Sequence, residues 1–342
     1  MAVVKFFCWG ILLRFFVLGS NVMEAKDFKT AYPIHSARQE GYLQVSDKHQ
    51  IFYALYGNPS GVPVVVLHGG PGMGCSDRFS RFFDLDRFNV VMFDQRGAMR
   101  SKPFACMEEN TTQQSLGDIE KLRTHLGIKR WVVFGGSWGS LLGILYGEAY
   151  PESCLGFVLT GIFLGREQDI QLFSKRGEAY QCFLQHFSDE EQCNLLSSSY
   201  QRIMSLDPKE HMIVARAFFR YIMASTIYTQ DQSVVESLLK DDRLVLSMSR
   251  AVLHYANHRL FLYPNQALLE IQHVSHLPAV IIQGRSDLNC PSEQAELLHQ
   301  HWKNSTLCLI EEGGHSGDDP ATVDALINAS DQFAGMFLNN PG

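Results

Sequence analysis

The stretch WVVFGGSWGSLLGILYG, residues 131–147, decides the fold predicted for this chain. Its first four residues are aromatic or β-branched and predict a short buried strand, and apolar residues then recur at helical spacing from Leu141 onward. Between strand and helix lies the G-x-S-x-G motif at 135–139. Glycines suit such a tight turn because side chains there would collide with neighbouring backbone. The motif alone is a weak signal, but its flanking strand and helix predict a nucleophile at Ser137.

Further strands and helices surround this motif. Runs of apolar, β-branched and aromatic residues predict strands, and helically spaced apolar residues predict the helices between them. The predicted strands cover residues 42–45, 51–56, 63–67, 88–93, 131–134, 155–159, 279–283 and 307–310. The predicted helices include residues 115–126, 292–302 and 321–337. This alternation predicts an α/β fold with a mostly parallel, doubly wound sheet, preceded by an antiparallel hairpin.

One long segment interrupts the alternation. From residue 166 to 264 the pattern is helical, most clearly at 212–227, and no run is typical of a buried strand. We therefore predict an all-helical cap at 166–264, inserted into a core formed by residues 40–165 and 265–338.

Composition excludes several classes of protein. A chain of 342 residues with 46% hydrophobic and 19% charged residues is typical of a globular protein. The formal charge of −7 and the lack of a dense basic run argue against a nucleic-acid partner. None of the eight cysteines forms a C-x-x-C pair or lies at zinc-ligand spacing from a histidine, so no metal site is expected. Cys182 and Cys193 could form a disulfide in an oxidising compartment, although free buried thiols are the favoured interpretation.

The first 25 residues differ from the rest of the chain. Lys5 precedes an apolar run at 6–13, as in a signal peptide, but Arg14 interrupts that run and no clean A-x-A site follows. The segment is too short and too interrupted to predict a stable membrane span. Export or peripheral membrane attachment and an amphipathic extension of a cytoplasmic protein both fit, so localisation is left open.

A serine nucleophile needs a base and a carboxylate that orients the base. In hydrolases whose serine lies in such a strand-to-helix turn (the nucleophile elbow), the acid and the histidine follow the serine in that order. Each of them lies on a loop after a later strand. Asp287 follows the predicted strand 279–283, and His315 follows the predicted strand 307–310. We therefore predict the triad Ser137, Asp287 and His315. Asp318 and Asp319 are alternative acids, but both are better interpreted as caps of the next helix.

The reaction also needs backbone N–H donors for the oxyanion. One donor should be Trp138, the residue after the nucleophile, and the other should come from the glycine-rich loop at 68–74. Gly70 is the predicted second donor and Gly69 is the alternative. A structural hydrogen-bonding role is favoured over catalysis for His68. At 94–97, an internal network that shapes the loops is favoured over a substrate clamp.

These motifs together resemble the proline iminopeptidase (prolyl aminopeptidase) family of α/β-hydrolases. The matching segments are HGGPGMG at 68–74, DQRGAMRS at 94–101, NTT at 110–112, RWVVFGGSWGS at 130–140, GIFLGR at 161–166, GRSDLNCP at 284–291 and GGHS at 313–316. The resemblance implies an α/β-hydrolase fold with a helical cap, a Ser–Asp–His triad, no metal and no cofactor. It also implies release of an N-terminal proline from peptides.

The resemblance further implies a substrate-binding site, for which we name Phe163, Ile222, Val252 and Tyr255. Family members usually carry two cap glutamates that hold the free amino group of the substrate. In this chain those positions align with Ile222 and Val252, although the neighbouring His254 and Tyr255 match. Recognition of a free amine should therefore be weakened, because a buried ammonium without a carboxylate partner is costly. Other cap acids could compensate: Glu178, Asp189, Glu190 and Glu236.

We therefore expect a serine hydrolase that releases N-terminal proline, or another small residue, from small peptides through an acyl-enzyme. One alternative is a small amide or ester hydrolase with altered specificity. The other is a non-catalytic relative that binds a small molecule under its cap. The sequence contains no signal for oligomeric state.

Overall fold

The computed structural model describes residues 28–171, 177–226 and 232–338. The hydrophobic N-terminal segment at 1–25, including Cys8, and Ile227 at the end of a predicted helix lie outside the described residues.

Eight strands form one sheet, and each corresponds to a predicted strand. They are β1 (Gln39–Gln44), β2 (Gln50–Gly57), β3 (Val62–Leu67), β4 (Phe88–Phe93), β5 (Trp131–Gly136), β6 (Cys154–Thr160), β7 (Ala279–Gly284) and β8 (Ser305–Ile310). Their order is β1-β2-β4-β3-β5-β6-β7-β8. The pairs β1–β2 and β2–β4 are antiparallel, whereas every other pair is parallel. The predicted fold class, with its N-terminal hairpin, is confirmed.

Continuous apolar strands form the middle of this sheet because helices cover both of its faces. Along β3, Val65 and Leu67 pack into one hydrophobic cluster, while Val64 and Val66 pack into the cluster on the opposite face. All four side chains are almost completely buried.

Eleven α-helices are present among the described residues. They are α1 (Thr112–His125), α2 (Trp138–Ala149), α3 (Glu178–Leu184), α4 (Asp189–Gln192), α5 (Leu195–Ile203), α6 (Pro208–Thr226), α7 (Gln232–Leu238), α8 (Asp242–Asn257), α9 (Gln266–Leu269), α10 (Ser292–His301) and α11 (Pro320–Phe337). Thr111 caps α1 through the amide of Gln114, and Asp319 caps α11 through the amide of Thr322.

Helices α3 to α8 lie between β6 and β7 in sequence, and the described part of this insertion contains no strand. They enclose a third hydrophobic cluster of their own, which includes Phe183, Phe218 and Leu253. Helix α6 begins at Pro208, a turn earlier than predicted. The exact division into a core at 40–165 and 265–338 and a cap at 166–264 stays a prediction.

The cysteines differ in one respect from expectation. None of the seven in the described part of the chain forms a disulfide there, but Cys182 and Cys193 are exposed rather than buried. Cys182 lies on the short helix α3, and Cys193 directly follows the short helix α4, where few side chains cover them.

Within the described ranges, no helix is long and apolar enough to cross a membrane.

The strand-to-helix turn at 135–139 allows a direct test of how closely α2 packs against the sheet. A Cβ atom at Gly139 would lie 2.0 Å from the carbonyl oxygen of Leu67, which is a backbone atom that cannot swing away. We expect Gly139→Ala to destabilise the protein by about 3 kcal/mol or more, measured by urea denaturation, because overpacking against backbone is costly. A Cβ at Gly117, within α1, would meet nothing within 4 Å. Gly117→Ala should therefore be neutral or stabilising, and equal losses in both variants would contradict this account.

The buried carboxyl group of Glu148 in α2 leads to a second prediction. Both of its carboxylate oxygens are buried and have no hydrogen-bond partner among the described residues. Burial first, and then the charge of Glu270, raises the pKa of Glu148 to about 9. The folded state therefore retains a proton that the unfolded state loses, so stability falls as the pH rises from the unfolded pKa towards 9.

We expect Glu148→Gln to raise the free energy of unfolding by about 1–2 kcal/mol at pH 8, with the gain disappearing near pH 4. Thermal denaturation across this pH range measures the difference. The exposed Glu152 is the matched control, and Glu152→Gln should show no comparable pH dependence. A gain that is constant from pH 4 to 8 would argue against the protonated carboxyl.

Candidate active site

Ser137 lies at the turn from β5 into α2, at the carboxyl end of a central strand. Its backbone has φ 56° and ψ −123°, a strained conformation for a residue with a side chain. The Ser137 amide donates to the carbonyl of Thr160, at the end of β6, which holds the turn. A Cβ at Gly135 would lie 2.2 Å from the carbonyl oxygen of Gly139, so the motif glycines are required by close approach of backbone.

The three residues predicted to form the triad meet in space. His315, on the loop between β8 and α11, has Nδ1 2.8 Å from Oδ2 of Asp287. Its Nε2 lies 3.1 Å from Oγ of Ser137. A serine hydroxyl, an imidazole and a carboxylate are therefore linked by two consecutive hydrogen bonds. This arrangement can withdraw a proton from the hydroxyl.

Asp287 is held in a polar nest. The amides of Asn289 and Cys290 each donate to Oδ1 at 2.8 Å, and Nε2 of Gln283 donates to Oδ2 at 3.2 Å. Burial raises the pKa of Asp287, but hydrogen bonding and charge from His315, with the two amides, lower it further than burial raises it. The net effect is a lowered pKa, so the carboxylate is ionised at neutral pH and can orient the imidazole.

The alternative acids have other partners. Asp319 caps α11, as expected. Asp318 does not cap that helix, and its Oδ1 instead accepts from Arg81 at 2.5 Å and from Arg78 at 3.2 Å. Two cations on the short helix at Asp77–Phe82 therefore tether the loop that follows His315.

The two predicted oxyanion donors line the same cavity as Ser137. Gly70 has φ +95°, and its amide has no acceptor among the described residues. Trp138 is the first residue of α2, where a helical amide has no intrahelical acceptor. The alternative donor, Gly69, packs against the serine, since a Cβ there would lie 3.2 Å from Cβ of Ser137. Both Gly69 and Gly70 line the cavity described below.

His68 has a structural position. It is completely buried, and its Nε2 accepts the amide of Gln95 at 3.0 Å. Gln95 in turn donates to the His68 carbonyl at 2.9 Å and accepts the indole N–H of Trp138 at 2.8 Å. Burial lowers the pKa of His68, so its ring is neutral and fixes the loop that precedes Gly69.

The charged residues after β4 also form an internal network. Asp94 is fully buried and accepts from the amide of Cys75 and from the guanidinium of Arg100. Arg96 forms a buried bidentate pair with Asp118 on α1, at 2.5 and 2.8 Å. Neither Asp94 nor Arg96 lines the cavity above Ser137. Their contacts therefore fit a network that shapes the loops, rather than a clamp on the substrate.

A cavity of about 720 Å³ opens above Ser137 and His315. All four residues predicted to bind substrate line it: Phe163, Ile222, Val252 and Tyr255. The Tyr255 ring centroid lies 4.6 Å from that of Trp138, while its hydroxyl donates to Oδ1 of Asn110. Tyr255 therefore presents its ring to the cavity.

The structure adds charged residues that the sequence argument missed. Arg166, on the loop after β6, forms bidentate pairs with Asp169 and with Glu293 of α10, and all three line the cavity. Arg166 lies within the segment GIFLGR, which marked this loop, but nothing in the sequence connected it to Glu293, 127 residues later. The four cap acids named as possible substitutes do not line the cavity, and Glu236 pairs with Arg220 at the surface.

Asp287, Cys290 and His315 also place one ligand atom each within 4.8 Å of one another, the spacing of a potential metal site. The carboxylate oxygens already accept the amides, Gln283 and His315. Because Nδ1 of His315 is engaged by Asp287, these contacts fit a hydrogen-bonded triad.

The sequence of this chain is similar to those of known proteins. Residues 62–317 match the family model described as alpha/beta hydrolase fold. The chain is 38% identical over 312 residues to a proline iminopeptidase of Xylella fastidiosa (strain 9a5c), covering 89% of this chain and 99% of the relative. It is 36% identical over 335 residues to a proline iminopeptidase of Arabidopsis thaliana, covering 94% of this chain and 88% of the relative.

Solved structures share the fold at lower sequence identity. MGS-M2, an alpha/beta hydrolase enzyme from a Medee basin deep-sea metagenome library, superposes with a TM-score of 0.60 at 17% identity, covering 85% of this chain and 97% of that chain. Proline iminopeptidase of Mycobacterium smegmatis superposes with a TM-score of 0.58 at 16% identity, covering 87% of this chain and 99% of that chain. On the identity and coverage of its sequence relatives, this chain belongs to the proline iminopeptidase family of α/β-hydrolases.

Proposed function

We propose that this protein is a serine aminopeptidase that releases N-terminal proline, or another small residue, from small peptides through an acyl-enzyme. The observation that carries the proposal is the continuous hydrogen-bonded chain from Ser137 through His315 to Asp287 at the floor of the cavity. The names of its sequence relatives supply the substrate class. No metal or cofactor enters the reaction as proposed.

In the first half of the reaction, Oγ of Ser137 attacks the carbonyl carbon of the first residue while Nε2 of His315 takes the hydroxyl proton. Asp287 stabilises the imidazolium that forms. The C–N bond then breaks, and His315 returns the proton to the leaving amine. In the second half, His315 takes a proton from water, the resulting hydroxide attacks the acyl-enzyme, and the proton returns to Ser137 as the free residue leaves.

The amides of Gly70 and Trp138 are the proposed donors to the tetrahedral oxyanion. The Gly70 amide has no acceptor among the described residues, and the Trp138 amide, at the start of α2, has no acceptor within its helix. Both amides can therefore donate to a developing negative charge. The α2 helix begins at this point, and the positive end of its dipole favours the same charge.

Phe163, Ile222, Val252 and Tyr255 are the proposed walls of the substrate site. Ile222 lies on α6 and Val252 on α8, so the helical cap supplies one side of the cavity, and Phe163 on the loop after β6 supplies another. Apolar walls suit a pyrrolidine ring or another small apolar side chain.

The same apolar positions favour a second candidate, a hydrolase of small amides or esters that lack a free amine. Ile222 and Val252 offer no carboxylate to an ammonium, and they would accept an uncharged acyl group. A substrate panel separates the two candidates, because the first prefers a free prolyl arylamide and the second prefers N-blocked substrates.

Ser137→Ala tests the catalytic proposal. We expect kcat on prolyl arylamide and on short acyl esters to fall by roughly 10⁴-fold or more, because the nucleophile is removed. Fluorophosphonate labelling of the wild type, and not of the variant, should accompany this loss. Equal turnover by the two proteins would refute the proposal, and a wild type that stays unlabelled would favour a non-catalytic binding protein.

Asp287→Asn tests the role of the orienting acid. We expect kcat to fall by about 10⁴-fold with the fold retained, since an amide cannot hold the imidazole in the required tautomer. Asp318→Asn is the matched control, because Asp318 pairs with Arg78 and Arg81 instead of His315. If Asp318→Asn caused the larger loss, the assignment of the acid would be wrong.

A further inference from the structure

The part of the cavity wall where the loop after β6 meets α10 holds a small charge cluster. Among the described residues that line the cavity, Asp169 and Glu293 carry carboxylates, and Arg166 carries a guanidinium cation. Both Nη atoms of Arg166 lie 2.9 Å from the two oxygens of Glu293, and Nε and Nη2 of Arg166 lie 2.9 Å from the oxygens of Asp169. One guanidinium is therefore shared by two carboxylates, which leaves a formal charge of −1.

The accessible part of this charge is on Glu293. The side chains of Arg166 and Asp169 are 6% and 5% exposed, whereas that of Glu293 is 62% exposed. An ionised carboxylate offers about four acceptor positions, and Arg166 uses one on each oxygen of Glu293. Hydrogen bonding to Arg166 lowers the pKa of Glu293, so it is ionised at neutral pH with acceptor capacity remaining.

The opposite wall of the cavity is apolar at the two positions where the family resemblance would place acids, Ile222 and Val252. An ammonium that enters a partly enclosed site needs a carboxylate in order to offset its lost hydration. Among the described lining residues, the cluster of Arg166, Asp169 and Glu293 alone offers such a carboxylate.

We propose that Glu293, with Asp169 balancing Arg166 behind it, binds the ammonium of the free amino group of the substrate and so determines specificity. The inference rests on the proposed function, since it assigns the amine subsite of the same cavity. Glu293 accepts hydrogen bonds from the ammonium and remains paired with Arg166. It is a specificity-determining residue and takes no part in proton transfer to the leaving amine.

A purely structural role for the cluster is the competing explanation, because Arg166 joins the loop after β6 to α10. The two roles differ in what they do to blocked substrates. Loss of a structural tie would impair every substrate, whereas loss of an amine subsite impairs those with a free amine and spares those without one.

The experiment compares Glu293→Gln with Glu296→Gln. Glu296 lies on the same helix, pairs with Arg285 and does not line the cavity. For Glu293→Gln we expect KM for prolyl arylamide to rise roughly tenfold to a hundredfold, because a hydrogen bond to a charged group is lost. Turnover of an N-acetylprolyl ester should change by about twofold or less, because this substrate has no ammonium to pair with Glu293. Glu296→Gln should behave as wild type with both substrates.

A Glu293→Gln protein that matches Glu296→Gln, or that loses both activities equally, would overturn the inference.

A binding measurement separates this inference from the proposed reaction. In the Ser137→Ala background, calorimetry of L-prolinamide should show a Kd increased roughly tenfold or more by Glu293→Gln, and N-acetylprolinamide should show no such change. An unchanged Kd for L-prolinamide would refute the amine subsite even if Ser137-dependent hydrolysis is observed. Failure of that hydrolysis with the Kd shift intact would refute the proposed function instead.

Discussion

The close approach of α2 to the ends of β3 and β5 is the constraint on which the site depends. At Gly139 the helix lies so near the carbonyl of Leu67 that no side chain fits, and at Gly135 the strand lies equally near the helix backbone. This contact forces the chain to turn sharply between strand and helix, which places Ser137 in its strained conformation. Helix α2 begins directly after Ser137, so the same packing contact brings the hydroxyl together with the first amides of the helix, which have no intrahelical acceptor.

Buried polar groups, rather than apolar packing, hold the loops around this turn. His68, Gln95 and the indole of Trp138 form one hydrogen-bonded series beneath the glycine-rich loop. On the other side, Gln283 accepts the amide of Ile162 and donates to Asp287 and to the carbonyl of Cys290. Satisfied networks of this kind are rigid, because an unpaired buried polar group is costly. They keep three loops from distant parts of the chain in register with Ser137.

Different parts of the chain supply the proposed reacting groups and the walls of the cavity. The proposed reacting groups come from loops at the carboxyl ends of β5, β7 and β8, where the sheet positions them rigidly. The insertion supplies apolar walls from α6 and α8, and the charge that an amine would need lies on the core side, on α10. If a free amine is bound in this cavity, the charge that pairs with it therefore comes from a different direction than the family resemblance implies.

The local pattern of the chain was sufficient to predict the eight strands and their doubly wound arrangement. It also led to the expectation of a helical insertion and of a triad of Ser137, Asp287 and His315, three residues that lie within hydrogen-bonding distance in the structure. Strand periodicity and the order of the loops after strands are properties of neighbouring residues, so they can be read without the fold. The exposure of Cys182 and Cys193 and the partners of Asp318 were not predictable in this way. Nor was the pairing of Arg166 with Glu293, since it joins residues 127 positions apart. Only tertiary packing decides which distant side chains meet, because that depends on how β6, α10 and the insertion come together in space.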